Sequence, residues 1–168
     1  MSLYLVANGA MQTTAAFVVV TTAAVIKTLL QVKPFNICRI VEWGISFDGS
    51  VTATPGKVEL IETDVAATVT ASVDNDVTKF GPGVVDQAVA SIAGLTLGTA
   101  ATGYTASAEG TITATRNLDS PVLLPPTAPF VKQFPLGREP VIQIAKFGRI
   151  RVTFGTAINA YCYMILDI

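Results

Sequence analysis

A chain of 168 residues is the size of one compact domain, and its formal net charge of −1, with eleven basic side chains scattered along the sequence, offers no stripe to neutralise a phosphate backbone. It contains no histidine, which removes the commonest general base, the usual catalytic triads and most catalytic metal sites together. Charged residues make up 14% and hydrophobic residues 51%, against roughly 25% charged in an average soluble domain, so the surface is expected to be partly covered by partner subunits.

Along the chain, the first apolar stretch, residues 15–30, is interrupted by Thr21, Thr22, Lys27 and Thr28 and is too short and too β-branched for a membrane span. It is not preceded by a basic residue or followed by a clean small-residue cleavage site, so no signal peptide is expected and synthesis is placed in a cytoplasm. An outer-membrane barrel shares the low charge and alternating strands, but the missing signal and sparse aromatic girdles argue against it. Cys38 and Cys162, far apart and without histidine, cannot make a standard zinc site and read as buried thiols, with a disulfide as the less favoured alternative.

Alternation with a period of two dominates from there. Val41, Trp43, Ile45 and Phe47 share one face of a predicted strand, with Glu42, Gly44, Ser46 and Asp48 on the other, and Asp48-Gly49-Ser50 closes it as a turn. Residues 57–63 follow the Pro55-Gly56 break, and 67–73 alternate Ala67, Val69, Ala71 and Val73 against Thr68, Thr70 and Ser72. A short helix is expected over 84–93, within a possible insertion at 74–95, and residues 110–116 are expected to form a threonine-faced strand. Residues 120–135 are proline-rich and read as an extended connection. Arg149 and Arg151 oppose Ile150 and Val152, and the run from Asn159 is apolar on both faces, as a central strand would be. Frequent Pro and Gly breaks favour a mainly β, single-domain antiparallel β-sandwich over 1–168, jelly-roll-like in form.

Catalytic chemistry finds no support. Glu59 and Glu62 lie three apart in a strand and fall on opposite faces, while Glu42 and Asp48 read as solvated charges. Asp74-Asn75-Asp76 lacks the downstream residues of a calcium loop and reads as a turn, and Gly81-Pro82-Gly83 lacks the lysine of a phosphate cradle. No enzyme, cofactor, metal site or nucleic-acid or membrane partner is expected. Candidate interface residues are Phe134, Leu136, Arg138 and Glu139 in a proline-bounded turn, against the alternative of a buried corner with Phe134 and Leu136 in the core and Arg138 paired to Glu139. Arg149 and Arg151 could pair with acidic groups of a partner, with a solvated face as the blander outcome.

Four stretches carry a resemblance: Val41-Glu42-Trp43-Gly44-Ile45-Ser46-Phe47-Asp48-Gly49, Val58-Glu59-Leu60-Ile61-Glu62-Thr63, Gly103-Tyr104-Thr105-Ala106-Ser107-Ala108-Glu109-Gly110-Thr111 and Phe134-Pro135-Leu136-Gly137-Arg138-Glu139-Pro140. With residues 149–165 they resemble a family of small virion proteins of tailed phages of actinobacteria, over most of the chain and least over 74–95. The resemblance implies a capsid decoration or cement protein, a β-sandwich added to the outside of the expanded head, with the major capsid protein as partner. A homotrimer suits local threefold positions of such a shell and would bury apolar faces. The competing expectations are a carbohydrate- or host-receptor-binding module of a head or tail fibre and, further off, a cell-wall hydrolase.

Overall fold

The computed structural model describes residues 2–10, 20–48, 54–80, 94–113, 115–125 and 129–168. They form strands β1 (Leu3–Ala7), β2 (Val20–Thr21), β3 (Lys27–Val32), β4 (Cys38–Asp48), β5 (Gly56–Thr63), β6 (Thr68–Ala71), β7 (Val77–Phe80), β8 (Gly103–Ala108), β9 (Thr115–Asp119), β10 (Val122–Leu123), β11 (Phe130–Gln133), β12 (Val141–Ile142), β13 (Phe147–Thr153) and β14 (Asn159–Asp167). The helical element among the described residues is a single 3-10 turn, Asp74–Asp76. The helix expected over 84–93 lies outside the described residues, as do the turns at 49–50 and 81–83.

Two antiparallel sheets pack face to face as a β-sandwich. The front sheet runs β11-β4-β14-β1-β7, with β12 also on β4 and β2 on β14. The back sheet runs β10-β5-β13-β3-β8-β6, with β9 also on β5. Strand pairs are nested from the outside of the chain inwards: β1 with β14, β3 with β13, β4 with β11 and β5 with β10. Residues 64–108 interrupt that nest, and their strands widen both sheets at one edge, β7 beyond β1 and β8 with β6 beyond β3.

Period-two patterning explains the core. On β14 Ala160, Cys162, Met164 and Leu166 point inward and are buried, whereas Tyr161, Tyr163 and Ile165 point outward and are half-buried. Ile150 and Val152 of β13, Leu30 and Val32 of β3 and Val58 and Leu60 of β5 fill the opposing face. Trp43 is fully buried, 5.1 Å from the Phe130 ring, and its indole N–H donates to Asp119 at 3.2 Å, so its one polar atom is satisfied.

The sequence pattern fails at four places. The register between β4 and β14 shifts between Ile165 and Leu166, so Ile40, not Val41, enters the core ahead of Trp43. Alternation after β6 breaks at Ser72, which is buried with its N–H bonded to the Thr102 carbonyl, and Val73 turns outward at 52% exposure. Residues 111–113 are a loop held to Asp64 through the backbone N–H and hydroxyl of Thr113, and β9 occupies Thr115–Asp119. Residues 120–135, expected as a connection, carry β10 and β11; these are edge strands, where neighbouring prolines remove no ladder bond.

Candidate interaction surfaces

The back sheet's outer face is covered by its own chain. Arg149 is fully buried there, its Nη1 donating to the Glu109 carbonyl at 3.2 Å and carboxylate at 3.4 Å and its Nη2 to the Val65 carbonyl. Glu109 also accepts the Thr28 backbone N–H at 2.5 Å and hydroxyl at 2.7 Å. Gln31, equally buried, accepts the Ala67 N–H at 2.8 Å and donates to the Ala100 and Ala101 carbonyls at 3.1 and 3.0 Å. These bonds close the 64–67, 99–101 and 109–113 segments over the sheet through their own carbonyls and amides, with Thr113 held to Asp64. Burial pulls the Arg149 guanidinium below its ordinary range, opposed by the Glu109 carboxylate beside it. Arg151 pairs with Glu59 at 3.0 Å. Both arginines, candidates to meet a partner or to stand in solvent, are thus engaged within the chain: Arg149 by loops that the sequence pattern does not reveal, Arg151 by its cross-strand neighbour on β5.

The front sheet's outer face is different. Tyr161, Tyr163 and Ile165 of β14 stand beside Leu3 and Leu5 of β1, all half-buried. Opposite Tyr163 sits Gly44, where an added Cβ would lie 2.7 Å from the tyrosine ring, so the glycine lets the ring lie across the strand. The Tyr163 hydroxyl donates to Glu42 at 2.7 Å, and burial together with this bond raises its pKa. The Tyr161 and Tyr163 rings are 5.9 Å apart and tilted by 33°.

The third surface is a lateral projection. β11 leaves the edge of β4 after the Phe134 N–H bonds the Val41 carbonyl at 2.8 Å, and the chain returns where the Ile40 N–H bonds the Pro140 carbonyl at 2.9 Å. The five residues between bulge away, turned by an Arg138 N–H bond to the Pro135 carbonyl at 2.9 Å, with Gly137 at φ +79°. The expected candidates divide here. Phe134 packs against the core with Lys132 Nζ 5.5 Å from its ring, Leu136 is 92% exposed, Arg138 is exposed and Glu139 half-buried. No Arg138–Glu139 ion pair occurs among those formed by the described residues.

Among the described residues, reactive groups do not converge on a site. Cys38 and Cys162 are free and buried; burial, helped by Asp167, pushes the Cys38 thiol up to about 12, far from a nucleophilic thiolate. Glu59 and Glu62 face apart, the first to Arg151 and the second to Arg116 and the Gln143 N–H. Among the described residues no group of three or more His, Cys, Asp or Glu could hold a metal ion, and no helix is long and apolar enough to cross a membrane. Asp74–Asp76 is a turn in which the Asp76 carboxylate accepts the Val73 N–H at 2.8 Å. Sequence reasoning passed over Glu109 and Gln31; the signal for the second was a lone polar residue inside the apolar run Leu29-Leu30-Gln31-Val32. No family model matches the chain, and neither the curated proteins nor the solved structures contain a match.

Proposed function

We propose that this chain is a structural virion protein of a tailed phage, a capsid decoration or cement protein that binds the major capsid protein on the outer surface of the mature head as a homotrimer, after synthesis in the host cytoplasm. One observation carries the reading: the sandwich ties eight charged side chains into four ion pairs within the chain while leaving large apolar side chains outside. Arg116–Glu62, Lys132–Asp119, Arg149–Glu109 and Arg151–Glu59 all join distant parts of the chain. Meanwhile Leu136, Ile37, Val122, Val25 and Ile144 are each more than half exposed. Such a body gains by being covered. The resemblance of the stretches at 41–49 and 134–140 to phage virion proteins supports the same role. The nested pairs β1–β14, β3–β13, β4–β11 and β5–β10, a long hairpin rolled into two layers, support jelly-roll wiring, an architecture frequent in capsid proteins.

A cement subunit that binds only the expanded lattice stabilises it by mass action, and many copies multiply a modest contact energy. The test is co-sedimentation of purified protein with expanded heads, followed by heat or osmotic challenge of particles with and without it. Binding with increased resistance is expected; unchanged particle stability would refute cementing. The tyrosine pair beside Glu42 favours one second reading, a carbohydrate-binding module, because sugars stack on paired aromatic faces. Retardation in gels containing host cell-wall polysaccharide, lost in Tyr161→Ala, would support that reading over cementing.

A further inference from the structure

We propose that the projection at 134–140 is a knob that docks into a socket on the opposite edge of a second copy of this chain, Leu136 entering between Val73 and Leu97 and Arg138 meeting Asp74. This rests on the self-association in the reading above and names the surfaces that produce it.

The knob is shaped to insert. Its ends are fixed to the edge of β4 by the Phe134 and Pro140 backbone bonds, its root is held in the core by Phe134, and Leu136 at the tip is 92% exposed. Holding an apolar side chain out on a pinned turn limits the ordering needed on binding. The socket is a cleft of about 460 Å³ lined by Val73, Asp74, Asn75, Leu97 and Gly98. Val73 is half exposed, Leu97 is anchored against the core, and the Gly98 N–H bond to the Ser72 carbonyl at 2.8 Å holds one wall to the other.

Charge and position agree with this pairing. Arg138 on the knob and Asp74 on the socket rim are both exposed, and neither takes part in an ion pair among the described residues. The knob leaves the front sheet beyond β4, and the socket lies at the other edge, in the turn leading into β7. Val77, at the start of β7, aligns through Val6 and Met164 with Trp43, which is two residues from Val41 where the knob begins. Moving from Trp43 back to Val41 corresponds to moving from Val77 on towards Lys79, whereas the socket precedes Val77, so knob and socket sit on opposite edges and are offset along the strand direction. Unlike surfaces on opposite edges give a head-to-tail contact, which closes into a ring when the copies tilt so that both surfaces lie in the plane of the ring.

Mass measurement by size-exclusion chromatography with light scattering tests the pairing, with circular dichroism melting to verify folding. Wild type is expected at trimer mass and Leu136→Asp as a monomer. Arg138→Asp and Asp74→Arg should each raise the dissociation constant tenfold or more, and the double variant carrying both should recover most of the loss. That charge exchange keeps the test decisive if Leu136→Asp folds poorly. Trimers that survive all single variants would overturn the knob and socket while leaving self-association standing on another surface. A monomeric wild type would overturn both, with binding to expanded heads scored separately. A Leu136→Asp trimer that no longer binds heads would also overturn the proposal, by assigning the knob to the shell.

Discussion

The two outer sheet faces are built from the same alternating strands and end in opposite conditions. The back face carries polar side chains, Gln31, Thr28 and Arg149, and the chain folds its own loops over them, while Arg151 pairs across the strands with Glu59. The front face carries Leu3, Leu5, Tyr161, Tyr163 and Ile165 and keeps them half-exposed. Polarity by itself would suggest the reverse. The difference shows that a buried polar layer arises where its partners are supplied by carbonyls and amides of covering loops, whereas the leucine and isoleucine side chains of the front face offer no hydrogen bonds to hold one.

Substitutions on the two faces should separate them sharply. Glu109→Ala removes the carboxylate that faces the buried Arg149 cation, and loss of one partner of such a pair costs about 3–5 kcal/mol. Chemical denaturation would register it as a lowered midpoint, and a loss below about 1 kcal/mol would show that the covering loops are held by something else. Gln31→Leu strands the Ala67 N–H and two carbonyls, with an expected loss of about 1–3 kcal/mol, read in the same way. Tyr163→Phe deletes the hydroxyl bond to Glu42 and should cost about 0.5–1.5 kcal/mol. Ile165→Thr on the same half-exposed face should change the stability of the monomeric Leu136→Asp chain by only about 0.5 kcal/mol. A loss as large as that of Gln31→Leu would mean that the front face is covered within one chain.

Alkaline pH offers a further contrast. The folded state raises the Cys38 thiol from 9.0 to about 12 and raises Tyr163 from 10.0, so in each case it favours the protonated form. Stability from these groups is full below pH 9 and falls as pH rises through the folded values, because the unfolded chain releases its protons first. Denaturation midpoints measured from pH 8 to 11 should decline, less steeply in Cys38→Ala, and a flat profile would contradict the burial of that thiol.

Much of the sandwich was legible from residue type alone. Strands β4, β5, β13 and β14 alternate so regularly that a core face is dictated by the period of two. What escaped was whatever depends on a second chain segment. Nothing near Arg149 in sequence announces Glu109, because the two meet through a loop forty residues away. The bulge at Val41 and the outward turn of Val73 broke otherwise regular alternation, and both flank the proposed contact between copies. The proline-bounded segment at 134–140 was recognisable as a candidate, yet its division into an inward Phe134 and an outward Leu136 follows from where β11 and β12 attach to β4.

The nested pairing has a kinetic consequence. β13 and β14 come last in chain order yet lie in the middle of their sheets, β13 between β3 and β5 and β14 between β1 and β4. During synthesis the earlier strands therefore wait with open edges, unable to complete either layer until residues 147–167 have left the ribosome. High contact order of this kind slows folding and lengthens the exposure of aggregation-prone edges, so yield in the cell should depend on chaperone capacity.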